Sequence, residues 1–141
     1  MEPLKQCAAL AYVESEGSTL VLLITTRRRG RWTIPKGWPK SHMADAELAA
    51  REAREEGGVE GEVGTAPLGS FDYTKRLHVF SWARCRVAVY PLRVDQQLLT
   101  WRERQSRSFL WVEPEKAAKL VRERQLAELL RSFARTGPRL S

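Results

Sequence analysis

Glu52, Glu55 and Glu56 stand at spacings of three and four in a segment rich in Ala, Leu, Glu and Arg. On a helix advancing about 100° per residue they share a single arc of roughly 100°. Three carboxylates on one helical face repel one another unless a cation lies among them, and hard oxygens of this kind suit Mg²⁺ or Mn²⁺. Read from composition alone, the same triplet also describes a solvated helix face, with Arg51 four residues before Glu55 and able to pair with it.

The loop ahead of this helix sharpens the choice. Trp32-Thr33-Ile34-Pro35-Lys36-Gly37 leads toward Arg51-Glu52-Ala53-Arg54-Glu55-Glu56-Gly57-Gly58-Val59. Pro35 confines Ile34 to extended geometry just before the Lys-Gly pair, so the chain enters the loop in a fixed direction. Taken together, Gly37, Arg51, Glu52, Glu55, Glu56, Gly58 and Val59 resemble the Nudix hydrolase signature, G-x5-E-x7-R-E-U-x-E-E-x-G-U, with U aliphatic. Two positions depart from it: Ala53 replaces a larger aliphatic residue, and Met43 stands where the signature has its first glutamate.

The resemblance implies a divalent-metal-dependent hydrolase of phosphoanhydride bonds, with Mg²⁺ as cofactor and Mn²⁺ as the alternative. It makes Glu52, Glu56 and the backbone carbonyl of Lys36 the metal ligands. Glu55 becomes the base for the attacking water, with Glu52 the other candidate for that role. Outside the box the chain is similar to the branch of diphosphoinositol polyphosphate phosphohydrolases and dinucleoside polyphosphate hydrolases. That similarity implies that Lys5, Thr25, Thr26, Arg27, Arg76 and Arg107 face polyphosphate. Arginine suits such a task because its planar fork pairs two phosphate oxygens at once. A second class of function, motivated by Met43, is a catalytically weak protein of the same fold that binds RNA ends or another polyanion.

The elements that must position these residues follow from local pattern. Cys7 to Val13 and Leu20 to Thr25 are apolar runs split by a polar stretch, the pattern of a hairpin. Ala44 to Glu56 favours helix by propensity, and Gly57-Gly58 supplies a residue free to take the left-handed C-cap. Ala66 to Tyr73, Leu77 to Val89 and Phe109 to Val112 are further strand candidates. Pro114 suits a first helical turn, and the apolar spacing from Ala117 to Phe133 breaks at Arg122-Glu123-Arg124, so two C-terminal helices are expected. The aromatics Trp32, Tyr73, Phe80 and Trp82 read as core or rim residues, and His78 as a packed or edge residue. The expected architecture is an α/β/α sandwich of the Nudix type, a mixed sheet between helices, in a single domain over residues 1–141.

Composition sets the remaining bounds. The chain carries 24 Lys+Arg against 17 Asp+Glu, a net charge of +7, and this excess suits a polyanionic partner. Nucleic acid, an acidic membrane surface and a phosphate-rich metabolite all meet that description. The expected partner is a polyphosphorylated small molecule, with nucleic acid less favoured and no membrane partner. No apolar run approaches the length of a membrane span, and residues 1–10 lack a secretory pattern, so a cytoplasmic location is expected. Cys7 and Cys85 lack metal or redox spacing and read as small core residues.

Overall fold

The computed structural model describes residues 2–138. Strand β1 (Leu4–Ser15) turns through Glu16 and Gly17 into β2 (Ser18–Thr25). Both turn residues have positive φ, the geometry whose twist matches a tight antiparallel hairpin. Short strands β3 (Trp32–Thr33) and β4 (Lys36–Gly37) precede helix α1 (Asp45–Gly57). Strands β5 (Val59–Val63), β6 (Gly69–His78), β7 (Ser81–Gln97) and β8 (Phe109–Val112) follow, and α2 (Pro114–Leu120) and α3 (Arg124–Thr136) close the order.

These strands form one eight-stranded mixed sheet. β1 runs parallel to β7 from Leu4↔Cys85 to Tyr12↔Arg93, and the other pairings are antiparallel. The opposite edge of β1 is shared: β4 takes Cys7 and Ala8, and β2 takes residues from Tyr12 onward. The sheet therefore forks along β1, and the fork brings the Lys36-Gly37 pair inward.

Alternation along the strands supplies two apolar faces. Ala8, Leu10, Tyr12, Phe71, Val87 and Val89 pack with Leu126, Leu130 and Phe133 of α3. On the other face Cys7, Ala9, Ala11, Leu22, Ile24 and Leu92 pack with Leu48, Ala49 and Ala53 of α1. The expected α/β/α sandwich is the observed one. Ala53 is fully buried here, so a small residue lets α1 lie close on the sheet. Cys7 and Cys85 are buried free thiols.

The α1 boundaries lie within a residue of the expected ones, with Ala44 as N-cap and Gly58 at φ 68° as the left-handed C-cap. The two C-terminal helices are separate, divided where Val121 turns to extended geometry. Three strand expectations are corrected. The Leu77 to Val89 run is two strands, because the ribbon turns at Val79-Phe80, an apolar pair with none of the usual turn residues. The run from Ala66 begins pairing only at Gly69, since Pro67 precedes it with no donor. Residues Val59–Val63 form an unexpected strand whose two glutamates and glycine hide its pattern; a Cβ on Gly61 would lie 1.9 Å from the Arg93 carbonyl oxygen, at a register shift.

Candidate active site

The site is built where α1 crosses β4. A Cβ on Gly37 would meet the Glu52 side chain at 2.6 Å, so only glycine lets that carboxylate lie against the strand. One turn later Glu56 is 7% exposed, and its Oε1 accepts the Lys36 backbone N–H at 3.3 Å. Burial and the adjacent Glu52 carboxyl push the Glu56 pKa up to about 8, while Arg107 pulls it down. Glu52, Glu56 and the Lys36 backbone thus meet at one place.

Glu55 lies to the side of this pair. Its Oε1 is 3.4 Å from Arg51 Nε and 3.6 Å from an Arg102 amino group. Among the described residues, no three side chains of His, Cys, Asp or Glu converge as a ready metal cluster. The donor set offered by Glu52 and Glu56 is two hard carboxylates, Glu56 buried and Glu52 half-buried, and burial beside Glu52 disfavours a second negative charge there despite the Arg107 guanidinium 3.9 Å away. Such a set fits Mg²⁺, which binds through one or two carboxylates and keeps several waters.

Arg107 is largely buried and reaches the site from the loop before β8. It donates from Nε to Glu103 at 2.7 Å and from Nη1 to the Thr25 carbonyl at 2.9 Å, and its Nη2 is 3.9 Å from Glu56. The Thr25 hydroxyl accepts the Ser108 N–H, fixing the same loop. Thr26 shapes the following turn, its Oγ1 accepting the Arg31 N–H, and Arg27 is exposed within it. Lys5 is exposed at the start of β1 opposite Arg86. Arg76 is exposed on the β6–β7 ribbon, donating to the carbonyls of His78 and Val79. Among the residues expected to face polyphosphate, the structure brings Arg107 to the carboxylates, with Thr25 holding it through its carbonyl; Lys5, Thr26 and Arg27 make no contact with them, and Arg76 lies out on the β6–β7 ribbon.

Several contributors carry no sequence signal of their own. Glu103 orients Arg107, and its backbone N–H donates to the Glu55 carbonyl at 3.1 Å. Trp101 lies over Gly58, where a Cβ would come within 2.2 Å of the indole. The Gln97 amide donates to the Gly57 and Gly58 carbonyls, capping the end of α1. The Lys36 ammonium lies 5.1 Å from the Tyr73 ring centre, and burial pushes its pKa down against the pull of Glu56 and Glu123. A tryptophan in the polar 98–108 stretch was the only hint of this arrangement. Met43 packs half-buried against the α1 face of the core, so the place of the signature's first glutamate is filled by an apolar contact.

Comparison with known proteins follows the same outline. Residues 4–133 match the NUDIX domain family model. Nudix hydrolase 12, mitochondrial, of Arabidopsis thaliana is 29% identical over 118 residues, covering 82% of this chain and 58% of that protein. Diphosphoinositol polyphosphate phosphohydrolase 2 of Homo sapiens is 29% identical over 119 residues, covering 83% of this chain and 62% of that protein. The chain thus spans about three fifths of the length of these relatives. Among solved structures, the C. elegans Ap4A hydrolase superposes with a TM-score of 0.67 at 18% identity, covering 95% of this chain and 98% of that one, which shows a shared fold.

Proposed function

The chain belongs to the Nudix family, and on that premise we propose that it is a divalent-cation-dependent hydrolase of phosphoanhydride bonds in a polyphosphorylated small molecule. Diphosphoinositol polyphosphates and dinucleoside polyphosphates are the substrate classes, in keeping with the names of the relatives above. The observation that carries the reading is the meeting of Glu52, lying against Gly37, with the buried Glu56, whose carboxylate accepts the Lys36 N–H and has Arg107 3.9 Å away.

Glu52, Glu56 and the Lys36 carbonyl would hold the cation. When bound, it neutralises phosphate oxygens and the charge that develops on the leaving phosphate. The protein's own groups supply the rest. Glu55 accepts a proton from the attacking water as the water oxygen bonds to phosphorus, and the anhydride P–O bond breaks with its electron pair on the leaving phosphate. Moving off Arg51 and Arg102 frees that carboxylate for the task, and Glu52 is the next candidate if it stays paired. Arg107, beside Glu56, would pair with phosphate oxygens, and Lys5 and Arg27 would meet the outer phosphates. Thr25 and Thr26 keep the loops that present Arg107 and Arg27 in place.

The test is a turnover screen with diphosphoinositol polyphosphates, diadenosine tetra- to hexaphosphates, nucleoside diphosphate sugars and capped RNA, each with Mg²⁺ and Mn²⁺. Anhydride cleavage of one of the first two classes, abolished by a chelator, is the expected result. Cleavage of sugar nucleotides or capped RNA alone would move the substrate class. No turnover of any anhydride, with retained binding of polyanions, would favour the binding-protein reading.

A further inference from the structure

The β6–β7 ribbon runs past the rest of the sheet. β1 begins at Leu4, opposite Cys85, and beyond that point residues 74–84 pair only within the ribbon. Four further residues of strand at about 3.3 Å each carry its end roughly 13 Å outward. Tight turns ordinarily use Gly, Asn, Asp or Pro, yet this one is made of Val79 and Phe80. Phe80 is 89% exposed, Val79 62%, Trp82 57% and Leu77 45%. A single exposed apolar side chain means nothing, but four large ones within six positions at a projecting end form a patch.

The backbone of this end is prepared to leave water. Arg76 donates from Nε to the His78 carbonyl at 3.2 Å and from Nη2 to the Val79 carbonyl at 3.3 Å, so two turn carbonyls keep partners without solvent. Behind the tip stands a basic collar of Lys75, Arg76, Arg84 and Arg86, opposed by Asp72, which Arg86 and Arg84 hold ionised. Such a collar repels a second copy of itself. Phe80 and Trp82 offer faces to a base, but the aliphatic Leu77 and Val79 of the same patch gain nothing from stacking and are accommodated by an apolar medium. An anionic bilayer accepts both parts at once, taking aliphatic and aromatic side chains at the acyl boundary and cations among the headgroups.

We propose that the end of the β6–β7 ribbon docks the protein on an anionic lipid surface, with Val79, Phe80 and Trp82 entering the acyl boundary and Lys75, Arg76 and Arg84 lying among the headgroups. The contact is peripheral: no described helix is long and apolar enough to cross a membrane. It departs from the expectation of no membrane partner, which rested on the lack of a spanning segment and is silent on surface contacts. It does not depend on the hydrolase reading.

Co-sedimentation with vesicles tests it without any substrate. The full chain should partition onto phosphatidylcholine vesicles containing phosphatidylglycerol, remain free of pure phosphatidylcholine, and release as salt is raised. The double variant Phe80→Ser/Trp82→Ser, altered only at exposed positions, should keep its melting temperature and lose at least about tenfold in partitioning. Lipids brominated in the acyl chain should quench tryptophan fluorescence of the wild type, and Trp82→Phe should bind while losing most of that quenching. Absence of wild-type binding to phosphatidylglycerol vesicles, equal binding by the double variant, or quenching that persists in Trp82→Phe would overturn the proposal. So would a concentration-dependent dimer abolished by the double variant, which would put a second copy on the same patch.

Discussion

Glu56 couples the site to pH. Burial and Glu52 push its pKa from the ordinary 4.5 up to about 8. The folded chain then holds a proton that the unfolded chain would release, so the stability tied to this group is full below about pH 4.5 and lost as pH rises through about 8. Thermal melts of metal-free protein should therefore fall across that interval, and Glu56→Gln should flatten the fall. Added Mg²⁺ should stabilise more at the upper end, because the cation displaces the proton. A pH-independent Mg²⁺ effect would contradict this. Met43 offers no hard oxygen and packs against the α1 core face, so Met43→Glu should lower the melting temperature and leave turnover within a few fold. A loss of about a hundredfold or more would contradict that. At this scale Glu52 and Glu56 were legible from their helical spacing and Gly37 from its place in the signature, while the close approach of Gly37 to Glu52 emerges only in the fold. Glu103 was not, since its part depends on Arg107 being folded back on it.

Helix α1 and the 98–108 loop act as one piece. Gln97 caps the helix carbonyls, Trp101 covers Gly58, and the Glu103 N–H is bonded to the Glu55 carbonyl. Gly58→Ala adds a Cβ at φ 68° and within 2.2 Å of the indole. It should destabilise the fold by about 2–4 kcal/mol, combining left-handed strain with overpacking. Displacing the loop moves Arg107, so kcat/KM should fall about 10- to 100-fold even under folding conditions. Urea unfolding and initial rates would check both, and a variant within about 0.5 kcal/mol of wild type would mean that the loop yields freely. The helix was legible from its Ala, Leu and Glu content and its glycine stop. The Val59–Val63 strand and the Val79-Phe80 turn were not, because pairing to β7 sets the first and no turn chemistry marks the second.

For the molecule as a whole, a net charge of +7 would draw the proposed polyphosphate substrate inward over distances that salt screens. With a substrate found, kcat/KM should fall as ionic strength rises while kcat changes little, and a flat profile would mean that contact alone guides capture. The layered architecture was legible because period-two and period-three-to-four patterns name the elements and the faces that must be covered. The fork along β1 was not, because it depends on β2 and β4 sharing one strand edge. The account turns on a cation held by Glu52 and Glu56 at that fork. The most direct measurement is the initial rate of anhydride cleavage against Mg²⁺ concentration for wild type, Glu52→Gln, Glu55→Gln and Glu56→Gln. A saturable Mg²⁺ requirement is predicted for the wild type, weakened Mg²⁺ dependence for Glu52→Gln and Glu56→Gln, and a maximal rate about two to four orders of magnitude lower for Glu55→Gln. Wild-type turnover that needs no divalent cation, or Mg²⁺ curves for Glu52→Gln and Glu56→Gln that overlie the wild type, would contradict it.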